Sequence, residues 1–409
     1  MNFLFPSSSS TAPIDYSDER AVRLLLSRLV EPEDHLFTEL RESAVPALAE
    51  PAELLRAVID DRASPPRPWP AGLAERLESR RAGIGLKLAC ADPEADFEAG
   101  AAAEARFLIP GDADWPSGLD DLGGRAPFGI WIIGRFEPRA PAVAMVGARA
   151  CTGYGSLAAG QLAADLARAG TTIVSGAALG VDGAAHRGAL AVGGTTVAVL
   201  ACGIDRSYPA SHRTLIQAIG DRGAVLAELP PGTSPTRFRF LARNRLIAAL
   251  GLGTVVVEAA GRSGSLVTAR LAAELGRAVF AVPGPVTSRQ SLGTNQLLCD
   301  GAIPAVDAPQ ILAELGVEAA RPSAPPRQTA EVNTRRADTP SGSASDAVPL
   351  DPHAVLVREA LPTARSGRAA EVLTLATATG LAPPQVLALL GQLAAGGQVV
   401  KTGSGWALR

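Results

Sequence analysis

The sequence predicts an α/β protein whose main body is a doubly wound, parallel β-sheet, and three features carry that expectation. Between Pro141 and Leu315, short apolar runs (AVAMVG, TTIVSG, TTVAVLA, AVLAEL, TVVVEA, AVFAVPG) alternate with Ala-rich helical stretches. Continuous apolar runs are what strands covered on both faces look like, and alternation with helices implies parallel crossovers. A Pro/Ser/Ala/Thr-rich stretch from Arg321 to Pro349 then interrupts all periodicity, so a separate module must follow it. At 409 residues the chain also exceeds what one core usually serves.

In chain order, residues 1–100 read as an N-terminal helical (SAM-like) module. The stretch from Asp15 to Glu98 is rich in Ala, Leu, Glu and Arg with helical spacing, broken at Pro32, Pro46 and Pro65–Pro66. Residues 101–317 hold the sheet and its lead-in, in an extended Rossmann-like arrangement. Residues 318–350 are expected to form a flexible linker. Residues 351–409 contain a helical stretch at Ala354–Ala360, a helix stop at Thr379-Gly380, a helix start at Pro383-Pro384 and a GGQVVKTGSGWAL hairpin. That pattern fits a small winged-helix-like domain. No repeat of 20 to 50 residues is evident.

Composition excludes several classes. Apolar residues make up 47% and charged residues 19%, without an apolar run long enough to span a bilayer. The opening MNFLFPSSSS has neither the basic nor the apolar segment of a secretory signal, so a cytoplasmic, membrane-independent protein is expected. Four cysteines, Cys90, Cys151, Cys202 and Cys299, lie far apart without a CxxC pair, which argues against zinc or a disulfide framework. Net charge is −3, so any nucleic-acid contact must come from a local basic patch. Only Lys87 and Lys401 are lysines; the other cations are arginines, suited to bidentate phosphate contact.

Candidate chemistry concentrates at the carboxyl ends of the expected strands, where open α/β sheets bind ligands. Val146-Gly147-Ala148-Arg149 leads through Gly153 and Gly155 into a helix, a turn that presents free amides to an anion, although such turns are often purely structural. Ser175-Gly176-Ala177-Ala178-Leu179-Gly180 would let a ligand approach closely. Asp182 and His186, four apart on one helix face, could be an acid/base pair, but a cap and a satisfied histidine explain them as well. Gly203-Ile204-Asp205-Arg206-Ser207-Tyr208-Pro209 offers an arginine and a stacking ring, or simply a Tyr-Pro turn. The strongest block is Arg237-Phe238-Arg239-Phe240-Leu241-Ala242-Arg243-Asn244-Arg245. It interleaves four arginines with two phenylalanines in a chain only 4% aromatic, as a cationic track with stacking platforms would. Glu258, Gly261-Arg262-Ser263-Gly264-Ser265 and Thr268 form another phosphate-type turn, with Glu258 read as a loop-orienting carboxylate rather than a base. Pro283-Gly284-Pro285 and Gly293-Thr294-Asn295 look like further turns on the same edge.

VGAR, SGAALGVDGAAH, GIDRSYP, RFRFLARNR, VEAAGRSGSLVTA and VPGPV, in this order, together resemble the motif series of the DprA/Smf family. Asp114-Trp115-Pro116, Leu119 and Gly129–Gly134 resemble the family's lead-in to its sheet. The resemblance implies a Rossmann-like domain that binds and protects single-stranded DNA in a positive pocket, self-associates as a homodimer, and loads the recombinase RecA onto the strand in natural transformation and DNA recombination. It implies no catalytic residue, no cofactor and no metal. Carried over by position, DNA contacts fall on Arg149, Ser175, Gly176, Arg206, Tyr208, Arg243 and Asn244, with Arg245, Ser263 and Ser265 lining the pocket; Phe240 of the Arg/Phe block is a further base-stacking candidate. Two departures stand out: Ala148 replaces a common serine, and Leu241 a common proline.

Two other classes remain in view. Related Rossmann-like enzymes cleave nucleoside monophosphates at the N-glycosidic bond through a PGGxGT loop and a catalytic glutamate; here the loop after Glu258 reads AAGRSGS. A nucleotide sensor signalling through its C-terminal module is the third reading. The helix expected between Pro384 and Leu393 carries no basic residue, which disfavours major-groove reading and suits a protein-contact role.

Overall fold

A computed structural model of the chain describes residues 14–43, 46–59 and 72–318, except 136 and 138. In the C-terminal segment it describes 354, 357, 358, 360–362, 369–379, 381, 383–395, 398–402 and 405–408. The expected linker lies outside the described residues beyond Glu318, as do Pro65 and Pro66. The chain divides into two compact units, Met1–Pro322 and Ser323–Arg409.

The first unit opens with five helices: α1 (Glu19–Leu29), α2 (His35–Glu42), α3 (Pro51–Ile59), α4 (Leu73–Ala89) and α5 (Pro93–Ala102). Their starts follow from capping chemistry. Asp18 accepts from the amides of Arg20 and Ala21, Asp34 from Leu36, and Asp92 from Ala95 ahead of Pro93 in the first turn. Val22, Leu26, Leu36, Leu40, Leu55 and Leu77 close a small core of their own, joined by Phe128 from the sheet's lead-in.

The sheet has nine strands in the order β1-β2-β6-β5-β4-β3-β7-β8-β9. The six apolar runs form β3 (Ala142–Val146), β4 (Thr172–Ser175), β5 (Thr196–Leu200), β6 (Ala224–Ala227), β7 (Gly253–Val256) and β8 (Ala278–Ala281), all parallel. Two short strands precede them, β1 (Arg106–Leu108) and β2 (Ile130–Gly134), and pair antiparallel along the β6 edge. An antiparallel edge needs no covering crossover helix, so this end of the sheet departs from the parallel expectation without cost. β9 (Ile303–Pro304) extends the other edge.

Helices α6 (Gly153–Arg168), α7 (Val181–Ala191), α8 (Arg213–Arg222), α9 (Arg237–Leu250), α10 (Gly264–Glu274), α11 (Leu292–Cys299) and α12 (Ala308–Glu314) complete the unit. Alternate strand residues feed opposite faces. Ala144, Val146 and Val256 pack with Leu246 and Ile247 of α9 on one side, while Val143, Met145 and Val255 pack with Leu162 and Leu166 of α6 on the other. From β3 the strand order runs outward through β4 in one direction and β7 in the other, so the sheet reverses between β3 and β7. A crevice outside the carboxyl ends of such a pair is where this architecture leaves room for a ligand.

The C-terminal unit contains α13 (Val372–Thr379), α14 (Pro383–Ala395) and an antiparallel hairpin of β10 (Val399–Thr402) and β11 (Gly405–Leu408). Its core gathers Leu375, Val386, Leu390, Leu393 and Val399.

Candidate nucleic-acid interface

A cavity of about 330 Å³ opens at the β3/β7 reversal. The loop after β3 (Val146–Ala150), the loop after β7 (Ala260–Ser265) and one side of α9 (Phe240, Leu241, Arg243, Asn244) form its walls. Arg149, Arg243 and Arg262 line it against a single carboxylate, Asp182. Burial pushes the Asp182 carboxyl up, with nearby Arg243 opposing; three guanidinium groups against one carboxylate make the lining cationic.

Each wall is held from behind. After β3, the backbone carbonyl of Glu258 accepts from Ala148 N (2.7 Å), and its carboxylate accepts from Thr152 N (2.8 Å) and Thr152 Oγ1 (2.6 Å). Both carboxylate oxygens therefore orient the loop that carries Arg149. Gly180, at φ +80°, presses against the same loop, and a Cβ there would sit 2.2 Å from the Ala148 carbonyl. Only glycine serves at that turn.

Arg243 is 5% exposed, and its Nη1 donates to the carbonyls of Gly176 (2.8 Å) and Val199. Its guanidinium lies flat against Gly176, where a Cβ would meet it at 2.4 Å. Burial draws Arg243 down to about 10, which leaves it charged at neutral pH. Asn244 accepts from Arg243 Nε (3.3 Å) and donates to Gly264 O (3.2 Å), tying α9 to the turn after β7. In that turn Ser263 caps α10 and shares a hydroxyl contact of 2.7 Å with Ser265.

Aromatic surface lies beside the charge. Arg149 stands 4.4 Å over the Phe240 ring, and the Tyr208 ring packs on Phe240 at 5.4 Å between centroids. Arg149 is exposed and has no carboxylate partner among the described residues. One wall thus offers an exposed guanidinium and two rings to a strand with phosphates and bases.

The structure gathers Arg149, Phe240, Arg243, Asn244, Ser263 and Ser265 around the cavity, with Tyr208 adjoining through Phe240. Arg206 stands nearby on the Tyr208 loop, half exposed and 3.9 Å from Asp205. Gly176 supports Arg243 from below. Ser175 is fully buried and its hydroxyl donates to Met145 O (2.6 Å), so its role is to join β4 to β3. Arg245 is not brought to the cavity. It is 1% exposed and clamps Glu228 with 2.8 and 2.6 Å contacts, approaches Glu33 at 3.2 Å, and donates to Arg125 O. Arg239 likewise turns away, to Glu31 (3.0 and 2.8 Å). Two members of the arginine block therefore bind the helical module to the sheet. Asp182 and His186 do not act together: Asp182 accepts from Ala178 N, whereas His186 Nδ1 meets Thr196 Oγ1 at 2.7 Å and burial lowers it to about 3. Arg262 and Gln290 line the cavity without having been assigned; Arg262 sits in a turn the sequence singled out, while nothing in the sequence marked Gln290.

Known proteins resemble this chain in sequence and in fold. Residues 106–316 match the family described as DNA recombination-mediator protein A. A DprA protein of Mycobacterium tuberculosis is 38% identical over 395 residues, covering 90% of this chain and 92% of the relative. The Smf protein of Escherichia coli is 44% identical over 174 residues, 42% of this chain and 46% of the relative. The X-ray structure of DNA processing protein A from Streptococcus pneumoniae superposes with a TM-score of 0.56 at 29% identity, covering 74% of this chain and 99% of that one.

Proposed function

This chain belongs to the DNA recombination-mediator protein A (DprA/Smf) family, and from that premise we propose that it binds and protects single-stranded DNA in the β3/β7 cavity. In this reading it loads the RecA recombinase onto the strand during natural transformation and DNA recombination, acting in the cytoplasm as a homodimer. It is a binding protein, not an enzyme. Phosphates lie against Arg149 and Arg243, and bases stack on Phe240 and Tyr208. The observation that carries the reading is the juxtaposition of exposed, unpaired Arg149 with the Phe240 ring at the rim of a cavity that holds three arginines. Neither acyl nor hydride transfer needs such a wall, and the Glu258 carboxylate is committed to Thr152.

Described helices include none long and apolar enough to cross a membrane. The C-terminal unit serves in this proposal as a winged-helix-like protein-contact or regulatory domain, since α14 carries no cation with which to read a groove.

The test is a titration of matched single- and double-stranded fluorescent oligonucleotides at two salt concentrations, with Arg243→Ala in parallel. The reading expects single-strand preference that weakens with salt as counterions are released and with loss of Arg243. Equal or absent binding of both forms removes it, and mononucleotides would be tried next.

A further inference from the structure

Beyond the cavity mouth, α9 carries an apolar ledge that the fold does not use. Phe238 is 50% exposed and Leu241 41% exposed. Three residues apart on a helix, they share one face, with Phe238 one turn further out. Leu241 lines the cavity and rests over Gly264, so the ledge continues that wall into solvent. Arg237 precedes Phe238 on the first turn of α9, and Arg262 lines the cavity with Leu241 at the other end of the ledge. Both are exposed, and neither forms an ion pair among the described residues. By contrast Arg239, on the same turn as Phe238, is consumed by Glu31.

An exposed apolar ledge alone does not identify its occupant. Here the charge does: the ledge is bracketed by unpaired guanidinium groups and continuous with a wall whose arginines already outnumber its carboxylates. A protein partner with an apolar knob would have no need of that bracket, whereas a polyanion with flat apolar bases matches both parts.

We propose that Phe238, with Leu241 beneath it, is a second base-stacking position, placed outside the cavity, which takes a nucleotide whose neighbouring phosphates face Arg237 and Arg262. The proposal rests on the single-strand reading of the cavity and extends it: the bound strand leaves past the first turn of α9, and the footprint is longer than the cavity. Because Phe238 is half exposed, removing its ring tests binding without emptying the core.

The experiment measures affinity for a ladder of single-stranded oligonucleotides with wild type, Phe238→Ala and Phe238→Trp. Parallel samples carry 2-aminopurine at successive positions to report stacking. Wild type gains affinity as the strand lengthens past the cavity. The expected result is that Phe238→Ala cuts the long-to-short affinity ratio roughly tenfold, the scale of one base–aromatic stack, and relieves quenching at one group of positions only. Phe238→Trp restores both. An unchanged ratio and unchanged quenching in Phe238→Ala, with wild type still binding single strands in a salt-sensitive way, overturns the ledge alone and assigns it to a protein partner or to no ligand. Failure of wild type to bind single strands at any length overturns the cavity reading and the ledge together.

Discussion

At the scale of single residues, the arginine block shows how two residues of one type in one motif come to do different work. Arg243 and Arg245 are two apart in α9, about 200° around the helix, so one faces the cavity and the other the opposite side. The sequence shows the cluster but not the division, because α9 is buried on nearly all sides from Ala242 to Leu250 and has no amphipathic stripe to orient it. The division makes a sharp prediction. Arg245→Ala leaves the Glu228 carboxylate buried without its partner and should cost about 3–5 kcal/mol, seen as a lower midpoint in urea unfolding. The folded fraction should keep its affinity for single strands. Arg149→Ala should do the reverse, because Arg149 is exposed, lies over the Phe240 ring and has no ion pair among the described residues: unchanged urea midpoint, weaker strand binding. If both variants lose affinity equally at unchanged stability, the assignment of Arg245 to structure fails.

Among the elements, what the sequence made legible follows burial. β3 to β8 are covered on both faces and appear as continuous apolar runs, so all six could be read along the chain, though not their order in the sheet. β1 and β9, three and two residues long, are too short to show any period, and the start of α9 at Arg237 was hidden by the alternating Arg-Phe pattern. α7 carries the clearest pH signature. His186 is buried and neutral, its Nδ1–H donating to Thr196, whose hydroxyl in turn donates to Ile173 O (2.8 Å). Burial lowers its pKa from 6.5 to about 3. Below 6.5 the unfolded chain therefore takes up a proton that the native chain refuses, so stability falls as pH drops through the window between 6.5 and about 3. From about pH 6.5 to pH 5 the loss should be about 2 kcal/mol. Asp182, one turn earlier, has its carboxyl raised and works in the opposite direction, gaining stability as pH falls through its native value. His186→Asn keeps a donor for Thr196 without a titrating ring, so its unfolding free energy should decline less steeply between about pH 7 and pH 5. An identical slope in the variant would mean that other groups govern acid sensitivity.

For the whole molecule, an overall charge of −3 means that strand binding must be a local affair, and the ion pairs decide where. Arg239 and Arg245 of α9 pair with Glu31 and Glu33 of the helical module, which spends them on holding that module to the sheet within one compact unit. Arg149, Arg243 and Arg262 gather at the β3/β7 cavity, with Arg237 at the start of α9, and none of the four is in an ion pair among the described residues. Composition could not have located this patch, because it arises from which cations the fold brings together at one edge. Its size sets the salt dependence. For single strands the slope of log affinity against log salt is about −0.7 per phosphate neutralised, so these four arginines should give a slope of about −3. Removing one of them should shorten that slope by about 0.7, whereas removing Arg239 should leave it where it was while weakening the hold on Glu31. A wild-type slope near zero would mean that the strand is held without its phosphates. A slope much steeper than about −3 would mean that cations outside this edge take part, and arginines elsewhere on the surface would then have to be counted into the path of the strand.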